Sequence, residues 1–200
     1  MFRLQQKRKE EQEKKEVSKP SYSKQMSVRS RFLTQEVSEI QANLPRTCKL
    51  EFKDVDNLRQ FTLIVSPDEG FWKGGTFVFH IQIPPEYNIK PPIAVCKTRI
   101  WHPNITEEGK ICLSILREHS LDGCGWLPTR SLKDVVWGLN SLFTDLVDFD
   151  DPLNTEASEQ YQMNRKGFER KVRDYVHHYA QSWPQTIEIK YFLISFLWLD

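Results

Sequence analysis

Four short runs of alternating apolar residues lie in the first half of this chain, and they restrict its possible folds more than any other feature. Side chains on a β-strand point to opposite faces in turn, so each run predicts a strand with one buried face. The predicted strands cover residues 48–52, 61–65, 77–83 and 93–97. Turn-forming segments such as Ser66–Gly70 separate them, and no crossover helix intervenes. Neighbouring strands that run parallel need such a crossover, so we expect an antiparallel four-stranded meander.

Helices are predicted on both sides of these strands, where apolar residues recur at intervals of three and four. One stripe runs from Val28 to Leu44 and ends at Pro45. Two more helices are predicted over residues 155–164 and 167–180, and the second should turn the ring of Tyr179 inward.

The best-marked helix is predicted over residues 131–146, after the strands. Its apolar stripe runs from Leu132 to Leu146, and Ser131 and Asp134 stand at the two positions of a capping box. The predicted order is one helix, four strands, a turn-rich segment and three helices. This order is typical of an α+β domain.

A basic arm is predicted before the first helix, over residues 1–26. Up to residue 24 it carries eight Lys/Arg and four Glu, a net charge of +4, whereas the other residues carry 20 and 23, a net charge of −3. The long polar stretch of the arm has nothing to bury, so we expect it to be flexible. Met1, Phe2 and Leu4 form an apolar tip that is either a docking element or a chance cluster. Charge concentrated in one short arm does not indicate a nucleic-acid-binding domain.

An apolar tail is predicted over residues 183–200, beyond a core domain that spans residues 27–182. Because about 20 apolar residues are needed to cross a bilayer, the tail is too short for a transmembrane helix. It either lies on a membrane or partner surface or does not belong to the fold, and we favour the second interpretation. Membrane association is therefore not expected.

The four cysteines include no CxxC pair, and the chain shows no signal peptide. Both features favour reduced thiols in the cytoplasm and nucleus. Cys48 and Cys96 fall on predicted strands and are interpreted as buried structural thiols. A zinc site from Cys112, His119 and Cys124 would have gaps of seven and five residues and no paired ligands, so no metal is expected.

The turn-rich segment before helix 131–146 carries the candidate chemistry. Asn104 follows the rigid Pro103, and Cys112 comes eight residues later with Gly109 between them. Glycine lets the chain fold back, so the amide and the sulfur can lie close together. This arrangement suits a carboxyl group that is carried on the sulfur of Cys112 and attacked by an external nucleophile. Asn104 is a candidate donor to the oxyanion that would develop, and bracing of the loop is its alternative role.

A cysteine hydrolase and a buried structural thiol are the rival interpretations of Cys112. In a hydrolase, His102 or His119 would pair with the sulfur and Asn104 would orient the imidazole. We favour a bracing role for His102, because it precedes the rigid Pro103. A hydrolase would also destroy the thioester that this site is expected to hold.

The string from His102 to Leu116 closely resembles the active-site signature of ubiquitin-conjugating enzymes, and Pro91-Pro92 and Asp150–Leu153 fall where that family has them. The resemblance covers residues 27–182 and implies the ubiquitin-conjugating (UBC) fold. It implies that Cys112 accepts a ubiquitin-like modifier as a thioester from an activating enzyme and passes it to substrate lysines. No cofactor is implied for this chain, because ATP is used by the activating enzyme.

The resemblance also assigns residues outside that string. An acidic residue at the position of Asp151 would position or desolvate the incoming lysine; capping of the next helix ahead of Pro152 is its alternative role. RING-type ligases would bind the first helix and two loops, at Ile89 and Pro128. Ile89 could instead cover the core, and Pro128 could simply form a turn.

Within the family, the chain resembles the neddylation-conjugating enzymes. The long connection from Leu116 to Arg130 and Asn88 after Tyr87 resemble the animal F-type, while the segment Met1–Leu4 is more similar to the M-type. The resemblance implies acceptor lysines on cullins, a RING-box ligase, docking of the apolar tip on the activating enzyme, and binding of the acetylated N-terminus to a cullin co-ligase. A conjugating enzyme for ubiquitin or another modifier, and an inactive variant acting as a binding module, are the alternatives.

Overall fold

Residues 28–54, 56–119 and 123–181 are described by this computed structural model, without the side chains of residues 28–30. The predicted arm over residues 1–26, with Met1, Phe2 and Leu4, lies outside the described residues, as does the predicted tail over residues 183–200.

The chain divides into two compact units, Met1–Leu33 and Thr34–Asp200. Of the first unit, only residues 28–33 are described, and they are helical. Everything that follows concerns the second unit.

The described elements follow the predicted order of one helix, four strands and three helices. The helices are α1 (Val28–Ala42), α2 (Leu132–Ser141), α3 (Thr155–Met163) and α4 (Arg165–Tyr179), with a short 3-10 helix over Ser114–Leu116. The strands are β1 (Cys48–Glu51), β2 (Gln60–Val65), β3 (Phe77–Gln82) and β4 (Ile93–Cys96). Among these described helices, none is long and apolar enough to cross a membrane.

The four strands form one antiparallel sheet in the order β1-β2-β3-β4, which confirms the predicted meander. The register places Leu63 opposite Phe79, and Phe79 opposite Cys96. All three side chains are buried, so they lie on the core face of the sheet. The ring of Phe143 packs on the same face, stacked on Phe77 with 4.7 Å between the ring centroids.

The segment that carries the candidate site is attached to this core through Trp72. The buried Trp72 ring stacks on the imidazole of His102 with 4.3 Å between centroids. Its indole N–H donates to the carbonyl of Trp101 at 2.9 Å. Phe143 contacts both rings edge-on, so the chain enters the site from a fixed position.

Helix α2 begins as predicted, with a capping box between Ser131 and Asp134, but it ends at Ser141 instead of residue 146. The backbone N–H groups of Thr144 and Leu146 both donate to the carbonyl of Ser141, at 3.1 and 2.9 Å. These turn bonds take the chain out of the helix. The prediction that Leu146 belongs to the buried stripe is therefore wrong, and its side chain is 49% exposed.

The prediction that Tyr179 points inward is also wrong, because its side chain is 47% exposed. Its ring packs edge-on against Tyr175, with 5.3 Å between centroids, and the guanidinium of Arg99 lies 5.2 Å from the centre of the ring. A ring that contacts a cation and a second ring is stabilised at the surface without entering the core.

Candidate active site

His102 is buried and uses both ring nitrogens to hold backbone groups. Its Nδ1 accepts a hydrogen bond of 2.9 Å from the backbone N–H of Asn104. The ring proton therefore lies on Nε2, which donates to the carbonyl of Leu142 at 2.7 Å. Burial lowers the pKa of His102 to about 4, so the ring is neutral at pH 7. These bonds occupy the imidazole without reaching Cys112, so the structure gives no support to His102 as the base of a hydrolase.

The carbonyl of Pro103 connects the site segment to the loop that carries Asp151. It accepts backbone hydrogen bonds from Leu153 at 2.9 Å and from Asn154 at 2.8 Å. The side chain of Asn154 caps helix α3 by accepting from the backbone N–H of Ala157 at 3.2 Å. Because Asn154 fills the capping position, the alternative role of Asp151 as a helix cap is not supported.

The carboxamide of Asn104 is buried and engaged on both sides. Its Nδ2 donates to the carbonyl of Asp148 at 2.8 Å, and its Oδ1 accepts from the backbone N–H of Asp148 at 2.8 Å. An amide nitrogen carries two hydrogens, so one N–H of Nδ2 is still available to a second acceptor. In this state Asn104 braces the loop, and the spare N–H keeps the oxyanion role chemically open.

Cys112 is half-buried, and a backbone hydrogen bond joins it to Asn104. The backbone N–H of Cys112 donates to the carbonyl of Asn104 at 2.8 Å. Gly109 has φ +85°, and a Cβ there would lie 1.9 Å from the carbonyl oxygen of Cys96. Only glycine allows this close approach. The turn thus joins the site segment to the end of β4.

Asp151 lies on the exposed side of the same site. Its backbone N–H donates to Oδ1 of Asp148 at 3.0 Å, and that of Asp150 donates to the same oxygen at 2.8 Å. These two N–H groups lower the pKa of the Asp148 carboxyl. Asp148 therefore holds Asn104 through its backbone and the Asp151 turn through its side chain.

The two loops predicted to bind a ligase lie side by side. Nδ2 of Asn88 donates to the carbonyl of Pro128 at 2.7 Å, and the indole N–H of Trp126 donates to the carbonyl of Asn88 at 2.8 Å. Ile89 is 68% exposed, so it does not cover the core. Pro128 is exposed and lies in a turn closed by the hydrogen bond of 2.9 Å from the Arg130 N–H to the Leu127 carbonyl, so its alternative role of forming a turn stays open. Leu127, which precedes Pro128 in the chain and which the sequence analysis did not single out, is also exposed.

The other cysteines differ from Cys112 in their environment. Cys48 and Cys96 are buried, and burial raises the pKa of their thiols to about 11 and about 12. Cys124 is exposed at the surface. Among residues 28–54, 56–119 and 123–181, no group of three or more His, Cys, Asp or Glu side chains could hold a metal ion.

The sequence matches the family model described as ubiquitin-conjugating enzyme over residues 32–176. The chain belongs to this family. The resemblance on which the sequence analysis relied is thereby confirmed, and the meander with its four helices is the UBC fold.

Several relatives of this conjugating enzyme carry more specific names. It is 58% identical to "NEDD8-conjugating enzyme UBE2F" of Gallus gallus over 159 residues, which cover 80% of this chain and 86% of the relative. The protein of the same name from Homo sapiens is 57% identical over the same proportions. "NEDD8-conjugating enzyme ubc-12" of Caenorhabditis elegans is 46% identical over 78% of this chain and 88% of its own length.

Sequence reasoning missed two residues at the site of this conjugating enzyme. The first is Asp148, whose carboxyl accepts hydrogen bonds from the backbone N–H groups of Asp150 and Asp151 and so forms a turn. Asp is common at the first position of such turns, and this is the sequence signal that could have indicated it. The second is Arg117, whose Nη2 lies 3.0 Å from Sγ of Cys112. No spacing rule in the sequence predicts that contact.

Proposed function

We propose that this chain is a NEDD8-conjugating enzyme. Cys112 accepts the C-terminal carboxyl of the modifier from the activating enzyme as a thioester and passes it to substrate lysines. The observation that carries the proposal is the contact between Asn104 and Cys112. The buried carboxamide of Asn104 is held on both sides, and a backbone hydrogen bond joins this residue to Cys112, whose side chain is half-buried. The names of the relatives support NEDD8 as the modifier.

The roles of the site residues follow from their chemistry. A thiol conserves the energy of the activated acyl group, since it exchanges one thioester for another before the amine attacks. The exposed carboxyl of Asp151 is suited to attract and position an incoming lysine by its opposite charge. His102 and Pro103 act as supports, because their polar atoms bind backbone groups.

The proposed partners are proteins. The activating enzyme uses ATP and delivers the modifier, so this chain needs no cofactor of its own. A RING-box ligase with its cullin would bind the docking surface formed by Ile89, Leu127 and Pro128. The tip formed by Met1, Phe2 and Leu4 would bind the activating enzyme and, once acetylated, a cullin co-ligase; loss of the α-amino charge lets it enter an apolar pocket. The cytoplasm and nucleus are the proposed compartments.

The experiment is a charging assay with the full chain, ATP and either the NEDD8 or the ubiquitin activating enzyme with its modifier. Non-reducing gels should show an adduct with NEDD8 that disappears with reductant. Cys112→Ser should give an adduct that survives reductant, because an alkoxide leaves less readily than a thiolate. Cys124→Ser is the matched control and should charge normally.

Three results would contradict the proposal in different ways. Charging with ubiquitin alone would assign another modifier. Absence of any adduct would leave the binding-module alternative. Loss of charging in Cys124→Ser with retention in Cys112→Ser would show that Cys124 is the nucleophile.

A further inference from the structure

The guanidinium of Arg117 lies against Sγ of Cys112, the protein atom that gains a bond when the modifier is loaded and loses it when the modifier is transferred. Its Nη2 donates a hydrogen bond of 3.0 Å to Sγ of Cys112, five residues earlier in the chain. A guanidinium keeps its charge at any pH at which the protein is folded, so it presents a fixed cation to the sulfur. Nothing in the roles given to Asn104 or Asp151 accounts for this contact.

The main chain of Arg117 is held at both ends. Its N–H donates to the carbonyl of Ser114 at 3.0 Å, which closes the 3-10 helix that follows Cys112. Its carbonyl accepts from the backbone N–H of the buried Trp126 at 2.8 Å. The side chain of Arg117 therefore starts from a fixed backbone position on the sulfur side of the loop.

We propose that Arg117 is a catalytic residue of the transfer step, in which its guanidinium stabilises the negative charge that appears on the Cys112 sulfur as the thioester breaks. This inference rests on the proposed thioester function and adds a residue to it.

The step balances as follows. The lysine nitrogen attacks the carbonyl carbon of the thioester, and the C–N bond forms. When the tetrahedral intermediate collapses, the C–S bond breaks and its electron pair goes to Sγ. The attacking nitrogen gives one proton to water, and the thiolate later takes a proton from water. A donor already 3.0 Å from Sγ stabilises that pair without having to move.

A chemical acyl-enzyme allows a test that does not depend on the identity of the modifier. The full chain, with Cys124→Ser to remove the exposed second thiol, is acylated on Cys112 by a short peptide thioester that ends in Gly-Gly. Discharge to hydroxylamine or free lysine is then followed by mass spectrometry. The variants are Arg117→Gln, Arg117→Lys and the control Lys110→Gln, which removes one positive charge from the same loop.

Arg117→Gln should discharge about 3–10-fold more slowly, as expected for one exposed charge-assisted hydrogen bond. Arg117→Lys should stay within about threefold of the parent protein because it retains the cation. Lys110→Gln should match the parent. Circular dichroism of each variant establishes that the fold is intact.

The proposal is overturned if Arg117→Gln discharges at the parental rate, or if Lys110→Gln slows discharge equally. If Arg117→Gln does not fold, Arg117→Lys and a Met replacement at the same position decide in its place. Failure of NEDD8 charging would contradict the proposed function alone, since the peptide acyl-enzyme still reports on Arg117.

Discussion

Asn104 and Asp148, 44 residues apart in the chain, are joined by two hydrogen bonds of 2.8 Å between one carboxamide and one peptide group. This pair holds the segment that presents Cys112 against the loop that presents Asp151. The proposed nucleophile and the proposed lysine-positioning residue therefore depend on the same contact.

Replacement of Asn104 by Ala should affect transfer more than charging. If its spare N–H reaches the oxyanion, discharge onto lysine should slow by a factor of order 10²–10³. The lost brace should also lower the free energy of unfolding by about 1–3 kcal/mol. Single-turnover discharge and urea denaturation measure the two effects separately.

Asn140→Ala is the matched control for that variant. The Asn140 side chain accepts from Thr47 Oγ1 at 2.7 Å and belongs to no part of the proposed site. It should lose stability while retaining its discharge rate. Equal losses of charging and discharge in Asn104→Ala would leave only the bracing role.

Gly109→Ala should destabilise the protein far more than Gly74→Ala. Both glycines have positive φ, +85° and +81°, so each alanine costs about 1–2 kcal/mol in backbone strain. A Cβ at residue 109 would also meet the carbonyl of Cys96 at 1.9 Å, whereas nothing lies within 4 Å of one at residue 74. We expect an additional loss of about 1–3 kcal/mol for Gly109→Ala in urea denaturation. Equal costs would mean that the chain near Cys96 can move aside.

Stability should fall as the pH is lowered from 7.5 to 5, because of His102. Its pKa is about 4 in the folded protein, against about 6.5 in an unfolded chain, so the unfolded state binds the proton first. The contribution is complete above pH 6.5 and is lost progressively between pH 6.5 and 4, with a loss of about 2 kcal/mol by pH 5. Urea denaturation at both pH values should show this slope in the parent and a shallower one in His102→Gln. Parallel slopes would assign the pH dependence to other groups.

Asn88→Ala should weaken ligase-stimulated transfer while leaving unstimulated transfer unchanged. The variant removes the hydrogen bond from Nδ2 to the carbonyl of Pro128, which fixes the two docking loops relative to each other. A loss of about 1 kcal/mol corresponds to roughly a fivefold loss in ligase affinity. Titration of discharge with the RING-box ligase measures it, with the exposed Asn43→Ala as control. A similar fall without ligase would place the effect at the active site.

Deletion of residues 1–24 should slow charging at limiting activating enzyme and weaken the stimulation by a co-ligase. The tether that the sequence predicts would raise the effective concentration of the apolar tip near a second site without adding contacts to the domain. The truncated protein should keep the folded core, which circular dichroism checks. If the full and truncated chains charge at the same rate and the co-ligase does not bind the acetylated peptide, then Met1, Phe2 and Leu4 are a chance cluster and not a docking element.

The features that could be predicted from the sequence are those set by local patterns. Alternation and turn residues predicted the meander, and Gly109 between Asn104 and Cys112 predicted that the chain folds back there, which the backbone hydrogen bond between the two residues shows. The brace at Asp148 was missed because it depends on where helix α2 ends, which turn bonds at Ser141 decide. Arg117 was missed because the direction of a long side chain depends on its rotamer and neighbours, neither of which leaves a periodic signal.

The stack of Trp72 on His102 has a consequence for how the protein loses activity on heating. The amide hydrogens of Asn104 and Cys112 should exchange with deuterium only when the whole core opens, because the groups that protect them are anchored to buried rings. The site then has no independent melting step, and the temperatures of inactivation and of unfolding should coincide.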